Sequence, residues 1–175
     1  MVLLLLLKQD IKKILLVIIF YLLSIFFIEN FSLSSNKKNT GTSFKKGISI
    51  YKKANCGSCH FWHAEGGNSH GGAAASLRTT DLSYKELQKI IKCGRPGTNM
   101  PYFSRSALNS DDCVHSKKPV NELEEITLKG SKLLNSDEIK SLAKFIEDEI
   151  KNKPLTKKYC LEFFKRQDTC NKYHD

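Results

Sequence analysis

Two thiols and an imidazole stand within five residues, Cys56-Gly57-Ser58-Cys59-His60, and no other feature restricts the possible folds so sharply. This is the haem c attachment pattern. Thiols three apart reach the two vinyl groups on one side of a porphyrin, and the adjacent imidazole falls under the iron as proximal ligand. Neutral imidazole binds iron well, and its other N–H can be fixed by a carbonyl. Two further chemistries use the same atoms. A Cys-x-x-Cys pair serves thiol–disulfide exchange when a helix start lowers its thiol pKa. That motif, however, follows a buried strand in a βαβ pattern, and here it follows Tyr51-Lys52-Lys53-Ala54-Asn55. His63 could complete a zinc site with Cys56, Cys59 and His60, but four ligands within eight residues is tighter than ordinary zinc spacing. The chain's other histidines, His70, His115 and His174, are expected to be solvated.

A haem iron wants a second axial ligand. The chain has two methionines, and Met1 would leave with any signal peptide. Met100 lies 40 residues after His60, in Arg95-Pro96-Gly97-Thr98-Asn99-Met100-Pro101. Pro101 removes a backbone donor and stiffens the loop, so Met100 can be held over the iron. A lone Met more often fills a core gap, but a polar loop between prolines is a poor place for that. His60 and Met100 are therefore the expected iron ligands. If Met100 did not bind, the iron would keep an open site, as in a haem enzyme.

The N-terminus predicts export. Lys8, Lys12 and Lys13 precede an apolar run from Ile14 to Ile28, interrupted only by Ser24. Fifteen residues suit a signal-peptide apolar region, whereas a spanning helix wants about 20. Ser32 and Ser34 stand like the −3 and −1 positions of a cleavage site. Residues 1–34 are thus a signal peptide or an N-terminal membrane anchor, with the lysines on the cytoplasmic side. Cleavage would remove three lysines and two acidic residues from a chain of formal charge +10. Such a basic protein favours an acidic partner surface. Its lysines and arginines are scattered and no nucleic-acid motif accompanies them, so nucleic acid is not expected as a partner.

Residues 35–43 read as a linker, 44–150 as the main domain and 151–175 as a tail. Phe44, Ile48 and Tyr51 fall at helical spacing. Residues 56–72 read as mostly loop. Ser83 with Glu86 forms a capping box for a helix that Gly94 stops, and Asn135 with Glu138 starts another that reaches Ile150. Between Arg95 and Asn135 no periodic segment is evident, and no β alternation is convincing. Four further cysteines are an even set in an exported chain and suggest disulfides. Cys93–Cys113 would pin the long loop to the end of the preceding helix, and Cys160–Cys170 would close the tail. Ten residues of continuous helix span about 15 Å, too far to bridge, so the tail must turn between them; Asp168 is a candidate cap for a second turn.

From Phe44 to Ile150 the chain resembles the class I monohaem cytochromes c. These have an N-terminal helix ending in Cys-x-x-Cys-His, a C-terminal helix crossing it and a Met-Pro loop between. Ser76-Leu77-Arg78-Thr79-Thr80 and Cys93-Gly94-Arg95-Pro96-Gly97-Thr98-Asn99-Met100-Pro101-Tyr102-Phe103 look like periplasmic cytochromes found beside quinoprotein alcohol dehydrogenases. The resemblance implies an all-α cytochrome c fold with long loops, to which this chain adds a disulfide-bearing C-terminal tail. It implies one covalent haem c, held through Cys56 and Cys59 with Leu77 and Arg78 beside it; Arg78 would neutralise a propionate. It also implies that Gly47 and Tyr51 lie at the helix crossing, opposite Phe145 or Ala143. The function implied is periplasmic one-electron transfer between redox proteins, not catalysis in its own right. The insert from Tyr102 to Asn135 and the cysteine-bearing tail depart from the minimal fold.

Overall fold

Apolar residues at helical spacing build the three helices that frame the core, and two of them start on the capping boxes that the sequence places there. The structure is a computed structural model that describes residues 12–23, 40–113, 122 and 125–174. Helix α1 is Thr40–Lys53 and buries Phe44, Ile48 and Tyr51. A single turn, α2, follows at Gly57–His60. Helix α3, Tyr84–Cys93, has the Ser83/Glu86 capping box in place and ends at Gly94. Helix α4, Ser136–Phe145, starts on the reciprocal Asn135/Glu138 box and continues as one wider π-helical turn, Ile146–Ile150. Its stripe of Ile139, Leu142, Ala143, Ile146 and Ile150 is buried.

Gly47 lets α1 reach α4. A Cβ there would lie 2.2 Å from the ring of Phe145, so any larger residue would force the helices apart. Phe44 meets the same ring edge-on at 5.7 Å.

The all-α expectation needs one correction. Strands β1, Gly67–Ser69, and β2, Gly72–Ala74, form a small antiparallel hairpin. Its residues are Gly, Asn, Ser and Ala, with no apolar alternation to announce it. Glycine freedom makes it: Gly67 and Gly72 have φ of +125° and +102°.

The insert after Tyr102 is threaded onto the domain by its backbone. Tyr102 N–H donates to Leu128 O and accepts from Gly130 N–H through its own carbonyl, at 2.9 and 2.8 Å. Short 3₁₀ turns occur at Ala107–Asn109 and Asp111–Cys113. Cys93 and Cys113 are joined with Cα atoms 5.1 Å apart, which fastens the insert to the end of α3. His115 lies outside the described residues, as do Ser32 and Ser34.

The tail folds back onto the domain. Helix α5, Lys157–Phe164, and the turn α6, Gln167–Cys170, are linked through Lys165 in the left-handed conformation. This is the turn that a Cys160–Cys170 bridge demands, and the bridge is formed, Cα to Cα 5.6 Å. Asp168 sits inside α6, its carboxylate against Arg166. Tyr159 is buried in the same apolar cluster as Phe44, Tyr51 and Phe145.

Residues 12–23 are helical with exposed apolar side chains. Among the described residues no helix is long and apolar enough to cross a membrane.

Candidate functional site

A cavity of about 540 Å³ opens between α1, the hairpin, α3 and the Met100 loop, within the size range of cofactor sites. Cys56, Cys59, His60, Leu77 and Met100 all line it. Segments forty residues apart in sequence thus face one space.

The attachment side is built from the pentad upward. Cys56 and Cys59 are free thiols, while the other four cysteines are paired. Burial pushes the Cys56 thiol up to about 12, with the neighbouring Cys59 adding to the rise. That opposes the lowered thiol pKa an exchange centre needs. Cys59 Sγ lies 3.3 Å from Gly71 O, and a Cβ on Gly71 would come within 2.5 Å of that sulfur. Only glycine lets the hairpin turn pass over the thiol. His60 Nδ1 is 2.8 Å from Ala75 O. Protonated, Nδ1 donates to this carbonyl and leaves Nε2 as the unprotonated nitrogen, the tautomer that binds metal. Burial holds the imidazole pKa below its ordinary value, which also favours the neutral form.

The turn that carries His60 is strained. Phe61 has φ +59° and ψ 167°, and Ala64 has φ +63°. Each costs a non-glycine residue about 1–3 kcal/mol and persists only where its surroundings fix it. Tyr51 Oη donates to Phe61 O at 2.8 Å, Tyr159 Oη to Trp62 O at 2.9 Å and Arg78 Nε to His63 O at 2.6 Å. Ala64 N–H returns to Phe61 O at 3.2 Å. Burial raises both tyrosines, Tyr159 to about 12, so they stay neutral donors.

Leu77 contributes to the cavity wall, but its neighbour Arg78 does not. Its Nη1 donates to Lys153 O at 2.8 Å, its guanidinium lies 5.1 Å over the Tyr159 ring, and Nη2 is buried without a partner. Arg78 is thus braced behind the wall through Nε and Nη1, with Nη2 not engaged by the protein. Arg95 is the arginine that lines the cavity. His63 is turned to Glu65, 3.3 Å away, and stacks on Phe61.

The opposite side is the Met100 loop. Gly94 turns the chain at φ +68°, where a Cβ would meet Met100 O at 2.9 Å. Thr98 ties the turn, its hydroxyl donating to Arg95 O at 2.7 Å and accepting from Met100 N–H at 3.2 Å. Arg95 N–H donates to Met100 O at 3.0 Å. Asn99 packs against Gly72 of the hairpin so closely that a Cβ there would meet its amide at 2.1 Å. The two sides therefore touch at the rim.

Sequence reasoning missed Ala75 O, Asn99 and Tyr159. The first acts through a backbone atom that any residue supplies. The second shows only once the hairpin is known. The third sits 99 positions beyond His60, and only the paired tail cysteines hint that its segment is fastened.

Residues 42–115 match the family model described as cytochrome C oxidase, cbb3-type, subunit III. With one Cys-x-x-Cys-His in the chain, this is a monohaem c-type cytochrome domain, and its cofactor is a covalently bound haem c. No curated protein and no solved structure matches the chain. The residues present fit the group: two unpaired thiols three apart, an imidazole with one nitrogen already committed, and a largely apolar cavity with a thioether in its wall.

Proposed function

We propose that the protein is an exported one-electron carrier whose haem c is attached through Cys56 and Cys59 and whose iron is ligated by His60 and Met100. One observation carries the reading: the two thiols, the imidazole and the thioether line a single cavity. When bound, haem c supplies an iron that cycles between ferric and ferrous states, and His/Met ligation raises its potential. The chain supplies the rest. Leu77 with Leu87, Ile91 and Leu142 excludes water, Ala75 O orients His60, and Thr98 and Pro101 hold Met100 in place. Both axial positions are then filled, which suits electron transfer better than substrate chemistry. The raised Cys56 thiol argues against thiol–disulfide exchange as the activity of the folded protein.

Export to the periplasm is supported by the basic-then-apolar N-terminus and by two disulfides, which persist in oxidising compartments. Whether residues 1–34 are cleaved or tether the protein, the haem domain is placed outside. Redox partners with an acidic docking face, a quinoprotein dehydrogenase among them, suit the net charge. Of the basic residues beside Cys56 and Met100, namely Lys52, Lys53, Lys92, Arg95 and Arg105, three are engaged by the protein itself. Lys52 reaches Phe163 O, Lys53 pairs with Glu138 and Lys92 with Asp112. Arg95 and Arg105 are exposed and are left to steer a partner.

Intact-mass measurement of protein made with a cytochrome maturation system tests the reading. One haem should be gained covalently, and Cys56→Ala or Cys59→Ala should prevent attachment or leave a single thioether. No covalent haem in the wild type overturns the reading. Electron-transfer rates should fall as salt rises, through screening over about 8–10 Å, and less steeply in Arg95→Ala and Arg105→Ala. A flat salt profile would remove the charge from docking.

A further inference from the structure

Three consecutive carbonyls, those of Phe61, Trp62 and His63, each accept from a buried side chain. The donors come from α1, from the tail helix α5 and from the segment after the hairpin. The clamped turn directly follows His60 and contains the two positive-φ residues Phe61 and Ala64. Strain fixed from three directions is a device for holding one geometry. The tail donor is itself fixed. Tyr159 is 3% exposed, precedes the Cys160–Cys170 bridge and lies under the Arg78 guanidinium, which also reaches the tail through Lys153 O. In return, Asn152 N–H donates to Arg78 O at 2.8 Å.

We propose that the C-terminal tail is a working part of the His60 side of the haem site, with Tyr159 as a positioning residue whose hydroxyl, together with Tyr51 and Arg78, locks the strained turn that presents the imidazole. Tyr159 touches neither the iron nor the porphyrin in this scheme; it acts through Trp62 O and the backbone to His60. The proposal rests on His60 being the iron ligand.

The function of the lock is to keep the His60 Nδ1–Ala75 O bond short. An imidazole whose distal N–H is well accepted is a more basic ligand and favours ferric iron. A loosened turn weakens that bond, so the potential should rise.

The test uses the full-length holoprotein with Tyr159→Phe, which removes one oxygen and keeps the ring. Wild-type holoprotein is first checked for covalent haem by mass and for His60 ligation by magnetic resonance. Failure there overturns the underlying reading and this proposal with it. With the wild type sound, Tyr159→Phe should keep covalent haem and the far-red ferric band of Met100. Its reduction potential should shift upward. The amides of Ala64 and Gly66 should exchange with solvent about fivefold faster, the factor one hydrogen bond of ordinary net strength gives. Phe44→Leu, a core change on the same cluster, should lower the melting temperature without moving the potential. Cys160→Ala/Cys170→Ala should reproduce the Tyr159→Phe shift. If Tyr159→Phe leaves both potential and exchange at wild-type values, the tail is packing only and the proposal is wrong. A potential shift of equal size in Phe44→Leu would overturn it in the same way.

Discussion

On the His60 side of the cavity, side chains from distant segments hold the backbone: Tyr51, Arg78 and Tyr159 on three successive carbonyls, Ala75 O on the imidazole. On the Met100 side the chain is held by its own backbone and by short turn side chains, with Thr98 closing the loop and Leu128 O and Ile126 O pairing with it from the insert. The first arrangement is braced by buried side chains through the core, the second by backbone pairing with the insert and by short turn side chains. The His60 turn cannot shift without breaking several buried side-chain contacts at once, whereas the Met100 loop can open together with the insert that pairs with it. Local opening free energies follow this kind of contact density. The imidazole should therefore be the permanent ligand and the thioether the exchangeable one.

Replacing each proposed ligand breaks the comparison most severely. His60→Ala should abolish the normal low-spin spectrum and most of the holoprotein yield. Met100→Ala should leave a folded protein that has lost its far-red ferric band and now binds cyanide or imidazole. Equal damage from the two substitutions, read by optical spectra and yield, would erase the asymmetry.

The two disulfides sharpen it. They close loops of 20 and 10 residues, and chain entropy gives each roughly 3 kcal/mol, the longer about 0.6 kcal/mol more. Their consequences should separate by side. Cys93→Ala/Cys113→Ala should make the iron more accessible to added imidazole, because the insert that backs the Met100 loop is loosened. Cys160→Ala/Cys170→Ala should leave that accessibility unchanged. Chemical denaturation and imidazole titration of both variants check this.

A smaller effect is expected at the helix crossing that supports the His60 side. Gly47→Ala places a methyl into the Phe145 ring, and overpacking of that kind costs about 1–3 kcal/mol. Thermal melting should show the loss, with the Met100 band kept up to the transition.

The smallest effects are set by pH. The Ser83 hydroxyl and N–H hold the Glu86 carboxyl below its ordinary value, and Lys53, followed by the Asn135 N–H of the capping box, does the same for Glu138. Depressed carboxyls contribute stability above their unfolded pKa and lose it as pH falls through the folded one, so the caps should weaken below about pH 4.5. Tyr159 runs the other way. Its folded pKa is raised, so its contribution is complete below pH 10 and is lost as pH rises toward 12. Acid should unfasten α3 and α4 first, and strong alkali the His60 turn, as followed by spectra across a pH series.

Much of the frame was legible before the structure. Ser83/Glu86, Asn135/Glu138 and the apolar stripe from Ile139 to Ile150 are local signals, and local physics decides them. The pentad and Met100 were legible because residue type and spacing alone single them out, and the structure brings them to one cavity. The hairpin at Gly67–Ala74 was not, because it has no apolar pattern and rests on glycine backbone freedom. The contacts of Arg78 with His63 O and Lys153 O were not legible either, being of long range that no sequence spacing encodes. The docking of Tyr159 is hidden for the same reason.

The buried Cys56 has a consequence in time. Once the domain has closed, its thiol is pushed up to about 12, and a protonated thiol is a weak nucleophile. Thioether formation is thus favoured while the chain is still open. Tyr159 clamps the turn after His60 only when the tail has folded onto the domain, so on this order of events the tail is a latch that shuts after the haem has been loaded.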